Sequence, residues 1–184
     1  MLNMTIGRGL ALVGVASLSL AIGVGGAAAG NGQGKAIGKF TAKQCAQEKK
    51  ALGKEVFDEL YGEPSQPNCM KANTASVRSD VKGSSKECKA ERGELGEEAF
   101  ADKYGSNKNK KNAFGKCVSR KTAPEIAEEV EKKENAARAC KAEQADPNFA
   151  ATHDGKTFDQ FYGTNENLKN SFGKCVSSKA KASS

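Results

Sequence analysis

One eleven-residue sequence occurs twice in this chain, and each copy carries a cysteine. "KNAFGKCVSRK" occupies residues 111–121, and "KNSFGKCVSSK" occupies residues 169–179. Each copy follows a "YG" pair at the same distance, and each has a second cysteine further upstream. An eroded copy, "CAQEKKALGKEVFDELYG", begins at Cys45 and closes at Cys69. Repetition of this kind predicts an array of similar structural units.

The six cysteines open and close these units. Repetition favours a disulfide within each unit, which predicts the pairs Cys45–Cys69, Cys88–Cys117 and Cys140–Cys175. The chain is 28% charged and poor in large aliphatic residues after residue 29, a composition that by itself favours disorder. Disulfides compensate for a small core in exported units. Zinc binding or thiol catalysis is the alternative, but no C-x-x-C motif occurs.

Residues 1–29 have the three parts of a cleavable secretory signal. One basic residue, Arg8, precedes the apolar stretch 10–24, and small residues follow, with Ala27 and Ala29 at the −3 and −1 positions. An uncleaved anchor is the alternative, but the apolar stretch is shorter than the roughly 20 residues that span a bilayer. We therefore expect cleavage after Ala29 and a secreted, extracellular protein.

Each unit is predicted to be helical, because it is rich in Ala, Glu, Lys and Arg. A straight helical arm would hold the two cysteines of a unit too far apart to bond. We therefore expect a break at Gly93–Gly96 and another at Asp146–Pro147. The fold class is all-α, with three small disulfide-stapled helical modules in tandem joined by polar linkers.

Several single residues have predicted roles in these modules. Gly105 and Gly163 are expected to end a helix as C′ glycines, and Asn107 and Asn165 to cap the closing helix. Phe114 and Phe172 are expected to pack beside the disulfide sulfurs, and Gly115 and Gly173 to admit another backbone. The predicted organisation is a signal peptide (1–29), a flexible tail (30–39), truncated module 1 (40–70), a linker (71–85), module 2 (86–121), module 3 with a long leading helix (122–179) and a flexible tail (180–184).

The closing segments "YGSNKNKKNAFGKCVS" and "YGTNENLKNSFGKCVS" resemble a repeat of small, uncharacterised secreted bacterial proteins. The resemblance covers modules 2 and 3, and module 1 weakly. It implies an exported, cysteine-paired helical repeat, and it brings no known activity or site residues.

No residue pattern specifies a reaction, and we predict that the protein is not an enzyme. His153 is the sole histidine, and an exposed loop position explains it better than a catalytic one. The N-x-N-x-x-N triplets that begin at Asn107 and Asn165 lack the alternating carboxylates of a calcium loop, so turn chemistry explains them. We predict no catalytic residue, no metal site and no cofactor.

Charge is the remaining signal, at a formal net +7. Residues 103–121 contain no acid, which predicts a surface that binds anionic extracellular polymers. The predicted residues are Lys108, Lys110, Lys111, Lys116, Arg120 and Lys121, with a weaker contribution from Lys169, Lys174 and Lys179. The interpretation favoured over polymer binding is that these basic segments only attract the acidic first helices of their own modules. Export disfavours nucleic acid as the target.

Two function hypotheses follow. The favoured one is a non-enzymatic structural or interaction protein of the cell envelope or medium. The alternative is a cationic effector that binds anionic polymers or membranes, as antimicrobial proteins do. Membrane binding is disfavoured, because the closing segments offer too narrow an apolar face for a helix that lies on a membrane.

Overall fold

The computed structural model describes residues 30–183, which form seven helices and contain no β-strand. The protein is therefore all-α, as predicted. None of these helices is both long enough and apolar enough to cross a membrane. The helices are α1 (Gly30–Tyr61), α2 (Ser65–Leu95), α3 (Glu97–Tyr104), α4 (Ala113–Gln144), α5 (Phe149–Thr152), α6 (Phe158–Tyr162) and α7 (Ser171–Ala182). The predicted signal peptide, residues 1–29, lies outside the described residues.

Each module contains a backbone break at a comparable place. Gly53 kinks α1 with φ 78° and ψ 164°, and Gly96 separates α2 from α3 with φ 79° and ψ 161°. A positive φ is readily adopted only by glycine. In module 3, α4 ends at Gln144, and the chain turns back through Asp154 and Gly155 before α6. The predicted break at Gly93–Gly96 is thus at Gly96, and the one near Asp146 is confirmed.

Three disulfides join the first arm of each module to its closing helix. The bonded pairs are those that the repeat predicts: Cys45–Cys69, Cys88–Cys117 and Cys140–Cys175. Their Cα atoms lie 6.0–6.1 Å apart, and all six side chains are fully buried. The bend at each break brings the arms into this range.

The segments between the modules are helical and packed. Residues 71–85, predicted to be a linker, lie in the middle of α2, where Val77 and Val81 are buried. The hydroxyl of Thr122 in α4 donates to Ser84 Oγ at 2.9 Å, which joins α2 and α4. Residues 30–39, predicted to be a flexible tail, begin α1, and Ile37 packs on the same cluster as Val77. Small side chains let these helices pack closely. The low number of large apolar residues in these segments therefore does not predict the packing.

Helix α1 also packs on module 3, and this contact makes modules 2 and 3 unlike. Leu52, Val56 and Leu60 cover the cluster around Phe172, which is 1% exposed. A Cβ on Gly173 would lie 3.0 Å from the Leu60 carbonyl oxygen, so this glycine does admit a backbone, as predicted.

The equivalent surface of module 2 is not covered in this way. Phe114 is only half-buried, with the Arg92 guanidinium 5.6 Å from its ring centroid. Gly115 faces open space. The prediction that Gly115 admits a backbone is therefore wrong, and the burial predicted for Phe114 is incomplete. The reason is that, within residues 30–183, no helix lies beside Phe114 as α1 lies beside Phe172.

Candidate functional site

The turns before α4 and α7 have the same hydrogen bonds. Ser106 N–H donates to Asn112 Oδ1 at 3.1 Å, and Asn112 Nδ2 donates to Ser106 Oγ at 2.8 Å. Thr164 and Asn170 make the same two bonds at the same distances. The asparagines therefore tie the start of each turn to its end, which agrees with the turn-chemistry interpretation of the triplets.

Two local predictions about these turns are wrong. Asn107 and Asn165 do not cap the closing helices, which begin only after Asn112 and Asn170. Gly105 has φ −69°, so it does not take the left-handed conformation of a C′ glycine. A Cβ there would lie 2.5 Å from the Ala101 carbonyl oxygen, and the same holds for Gly163 against Asp159. Glycine is required at both positions because a carbonyl oxygen of the preceding helix lies too close for a Cβ, and not because φ is positive.

These turns and closing helices carry the nine predicted polymer-binding residues. Six of the nine are exposed and have no carboxylate within ion-pair distance among residues 30–183: Lys108, Lys111, Lys116, Arg120, Lys169 and Lys174. The other three form ion pairs: Lys110 with Asp102, Lys121 with Glu87 and Glu91, and Lys179 with Glu143. Lys121 and Lys179 thus pair with the first helices of their modules, as the intramolecular interpretation expects, whereas Lys110 pairs with α3.

Glu91 and Glu143 centre two matching clusters of a glutamate, a tyrosine and lysine. Lys103 Nζ donates to Glu91 at 2.6 Å and Tyr104 Oη donates to it at 2.8 Å, and these bonds lower the pKa of Glu91 to about 2. Lys121, which has the position of Lys179 in the repeat, lies 3.4 Å from the same carboxylate. Glu143 accepts from Tyr162 at 2.8 Å and from Lys179 at 2.6 Å. Burial raises the pKa of Tyr162 to about 12. Every polar member of these clusters is used to hold helices together.

Module 1 has the same cluster with one member supplied by another module. Glu48 is fully buried and accepts from Tyr61 and, at 3.2 Å, from Asn73. Its lysine comes from α4, where Lys133 Nζ lies 2.8 Å from Glu48 Oε1. Burial and the Glu48 carboxylate raise the pKa of Tyr61. The sequence does not predict this role of Lys133. The only hint is that module 1 has Asn73 at the position where modules 2 and 3 have a lysine.

A groove of about 860 Å³, here called the α7 groove, runs between α7 and the turn from α1 to α2. Leu60, Tyr61 and Gly62 line it on the α1 side. Three exposed lysines on its lining have no carboxylate partner in the part of the chain that the structure describes: Lys169, Lys174 and Lys181. Its amide side chains are those of Asn68, Asn73, Asn165, Asn167 and Asn170. The one lining acid, Glu59, is paired with Lys141.

The α7 groove depends on packing between modules. Lys111 and Lys116 occupy in module 2 the positions of Lys169 and Lys174 in module 3. They lack the wall that the end of α1 provides, because α1 packs on Gly173 and leaves Gly115 open. The structure therefore places two predicted residues in a groove, adds Lys181, and leaves the module 2 lysines on an open surface.

The groups that most often carry chemistry are used in packing. The ring of His153 stacks on Phe149 with centroids 3.8 Å apart, and its Nδ1 lies 2.8 Å from the Phe149 carbonyl oxygen. His153 is thus half-buried, and not the exposed loop residue that was predicted. Within residues 30–183, no cluster of His, Cys, Asp or Glu has the arrangement of a metal site.

Comparison with known proteins adds no relative: no family model, curated protein or solved structure matches the chain. The resemblance to secreted bacterial repeats therefore stays a prediction.

Proposed function

We propose that this is a secreted, non-enzymatic interaction protein that binds anionic extracellular polymers in the α7 groove. The observation that carries the proposal is a set of three exposed lysines on one groove, Lys169, Lys174 and Lys181, which have no carboxylate partner among residues 30–183. Lysines attract a polyanion by releasing its condensed counterions, and the exposed amides of Asn165 and Asn167 can bond the polar groups between its charges. The three intrachain disulfides support export.

A non-enzymatic role is supported by the way that the titratable groups are used. The buried carboxylate of Glu48 is neutralised by Lys133, and the carboxylates of Glu91 and Glu143 are occupied by tyrosine and lysine partners. A general acid or base needs a position from which it reaches a substrate, and these groups point at other helices.

The membrane-active alternative has less support. Only two large hydrophobic side chains are exposed in the described part of the chain, Leu95 at 42% and Phe161 at 44%. A helix that lies in a membrane interface presents a broad apolar face. We therefore favour soluble polymer chains over lipid surfaces as the anionic partner.

The test of this function is a binding titration of the mature protein against heparin and a teichoic-acid-like polymer between about 50 and 300 mM salt. We expect micromolar binding at the low end that weakens steeply with salt, because counterion release drives it. Leakage assays with anionic vesicles serve as the control. Absence of polymer binding at the lowest salt, or leakage at lower concentration than binding, would contradict the proposal.

A further inference from the structure

A second groove lies where the predicted N-terminal tail meets the predicted linker and the first residues of module 2. It has a volume of about 790 Å³ and runs between the start of α1 and the middle of α2. We call it the α2 groove. Its basic lining residues all come from α2: Arg78, Lys82, Lys86 and Lys89.

These four cations form a row along one helix. Their spacing of three or four residues keeps them on one face, and the helical rise places neighbours about 4.5–6 Å apart along the axis. All four are exposed, and none has a carboxylate within ion-pair distance in the described residues. The four side chains are therefore available to an anionic ligand, because no carboxylate among residues 30–183 pairs with them.

The acids near this stretch of α2 belong to other surfaces. Glu87 pairs with Lys121 of α4 at 3.2 Å. Asp80 is two residues from both Arg78 and Lys82, which places it on the opposite side of the helix, and burial and Glu129 of α4 raise its pKa. Among the described residues, no acid lines the α2 groove. Helix α2 therefore has an acidic side that faces α4 and a basic side that faces the groove.

The floor and walls of the groove indicate the shape of its ligand. Gly34 and Gly83 line it, and a Cβ on either would meet nothing within 4 Å, so the space above them is open. None of its lining residues in the described part of the chain is aromatic. Single-stranded nucleic acids are usually held by bases stacked on aromatic rings. A row of evenly spaced cations without rings fits a chain that carries its charge at regular intervals and has no bases to stack.

We propose that the α2 groove binds a linear anionic polysaccharide, with its carboxylate or sulfate groups paired to Lys82, Lys86 and Lys89. The proposal rests on the proposed function, since it names the ligand class and adds a second site to the α7 groove. With two grooves, one protein molecule can hold two polymer segments.

The experiment compares two variants of the full chain with equal change of charge. One variant carries Lys82→Gln, Lys86→Gln and Lys89→Gln. The control carries Lys43→Gln, Lys50→Gln and Lys156→Gln, which are exposed and line neither groove. The probes are polygalacturonate for carboxylates, dextran sulfate for sulfates, and single-stranded DNA. Circular dichroism checks that both variants keep the fold.

The α7 groove is intact in the groove variant, so the titration resolves two binding steps. We expect the step that belongs to the α2 groove to weaken roughly tenfold or more for the better of the two polysaccharides, with its slope of log affinity against log salt reduced by about 2–3, because up to three charge contacts are lost. The control should change affinity by less than about threefold, since it removes only distant charge. The polysaccharide that binds more tightly identifies carboxylate or sulfate as the charged group.

Two results would overturn the inference while the proposed function stands. The first is an equal loss in both variants, and the second is tighter binding of DNA than of either polysaccharide, sensitive to the same three lysines. If the wild-type protein binds no polyanion at low salt, the inference and the proposed function both fail.

Discussion

Lys133 of α4 completes a cluster that belongs to module 1, because its Nζ lies 2.8 Å from the buried carboxylate of Glu48 in α1. Modules 2 and 3 use lysines of their own closing helices, Lys121 and Lys179, for the same purpose. Asn73 stands at that position in module 1 and accepts a hydrogen bond from Lys133. The ion pair between Lys133 and the fully buried Glu48 therefore joins the third module to the first.

Replacing Lys133 with methionine is expected to destabilise the protein by about 3–5 kcal/mol, because Glu48 is left buried without its cation. The change Lys132→Met is the control, since this neighbour pairs at i,i+4 with the exposed Glu128 and its loss should leave stability nearly unchanged. Urea unfolding measures both. Adding Glu48→Gln to Lys133→Met should recover part of the loss, and equal effects of the two single changes would contradict this role.

The two equivalent phenylalanines should differ in their contribution to stability. Phe172→Ala is expected to cost about 3–5 kcal/mol, the usual range for a buried phenylalanine. Phe114→Ala should cost about 1–2 kcal/mol, because part of its ring is already in water in the folded state. Unfolding free energies of the two variants check the difference. Equal losses would show that the surface around Phe114 is covered in solution.

The pairs on Glu91 predict loss of stability in acid. Because its folded pKa is about 2, below the ordinary 4.5, the unfolded chain takes up the proton first as pH falls. The stabilisation is complete above pH 4.5 and is lost as the pH falls to about 2. Unfolding measured across this range should show a smaller decline for Glu91→Gln than for the wild-type chain. The same decline in both proteins would contradict the assignment.

Removing one disulfide should weaken the whole protein and not one module. Replacing Cys88 and Cys117 with alanine is expected to cost about 2–5 kcal/mol. Because α1 packs on the cores of both other modules, unfolding should remain a single transition. Thiol-free variants can be followed by circular dichroism and by tyrosine fluorescence. Separate transitions with the two probes would instead support independent modules.

Local features of this protein could be predicted from sequence, and contacts between modules could not. The disulfide pairs and the break at Gly96 follow from cysteine spacing and glycine chemistry, which act within one repeat. The burial of Val77 and the exposure of Phe114 depend on which helix packs opposite, and the repeat is silent on that. The basic row on α2 is not apparent from sequence. Few large apolar residues surround it, so the segment does not predict the packed helix that aligns these side chains.

The candidate site was predictable to the same extent. Lys169 and Lys174 were identified from the repeated eleven-residue sequence, yet their copies in module 2 have the same residue types. Only the position of Leu60 against Gly173 distinguishes a groove from an open surface.

This difference between modules 2 and 3 allows a direct test of the α7 groove as the binding site. The double change Lys169→Gln and Lys174→Gln is compared with Lys111→Gln and Lys116→Gln, which removes the same charge from the same positions of the repeat. Affinity for heparin is measured across the salt range. We predict that the module 3 variant loses about tenfold in affinity and the module 2 variant less than about threefold, because only the module 3 lysines line the groove. Equal losses in the two variants would show that binding follows net charge and that the α7 groove is not the site.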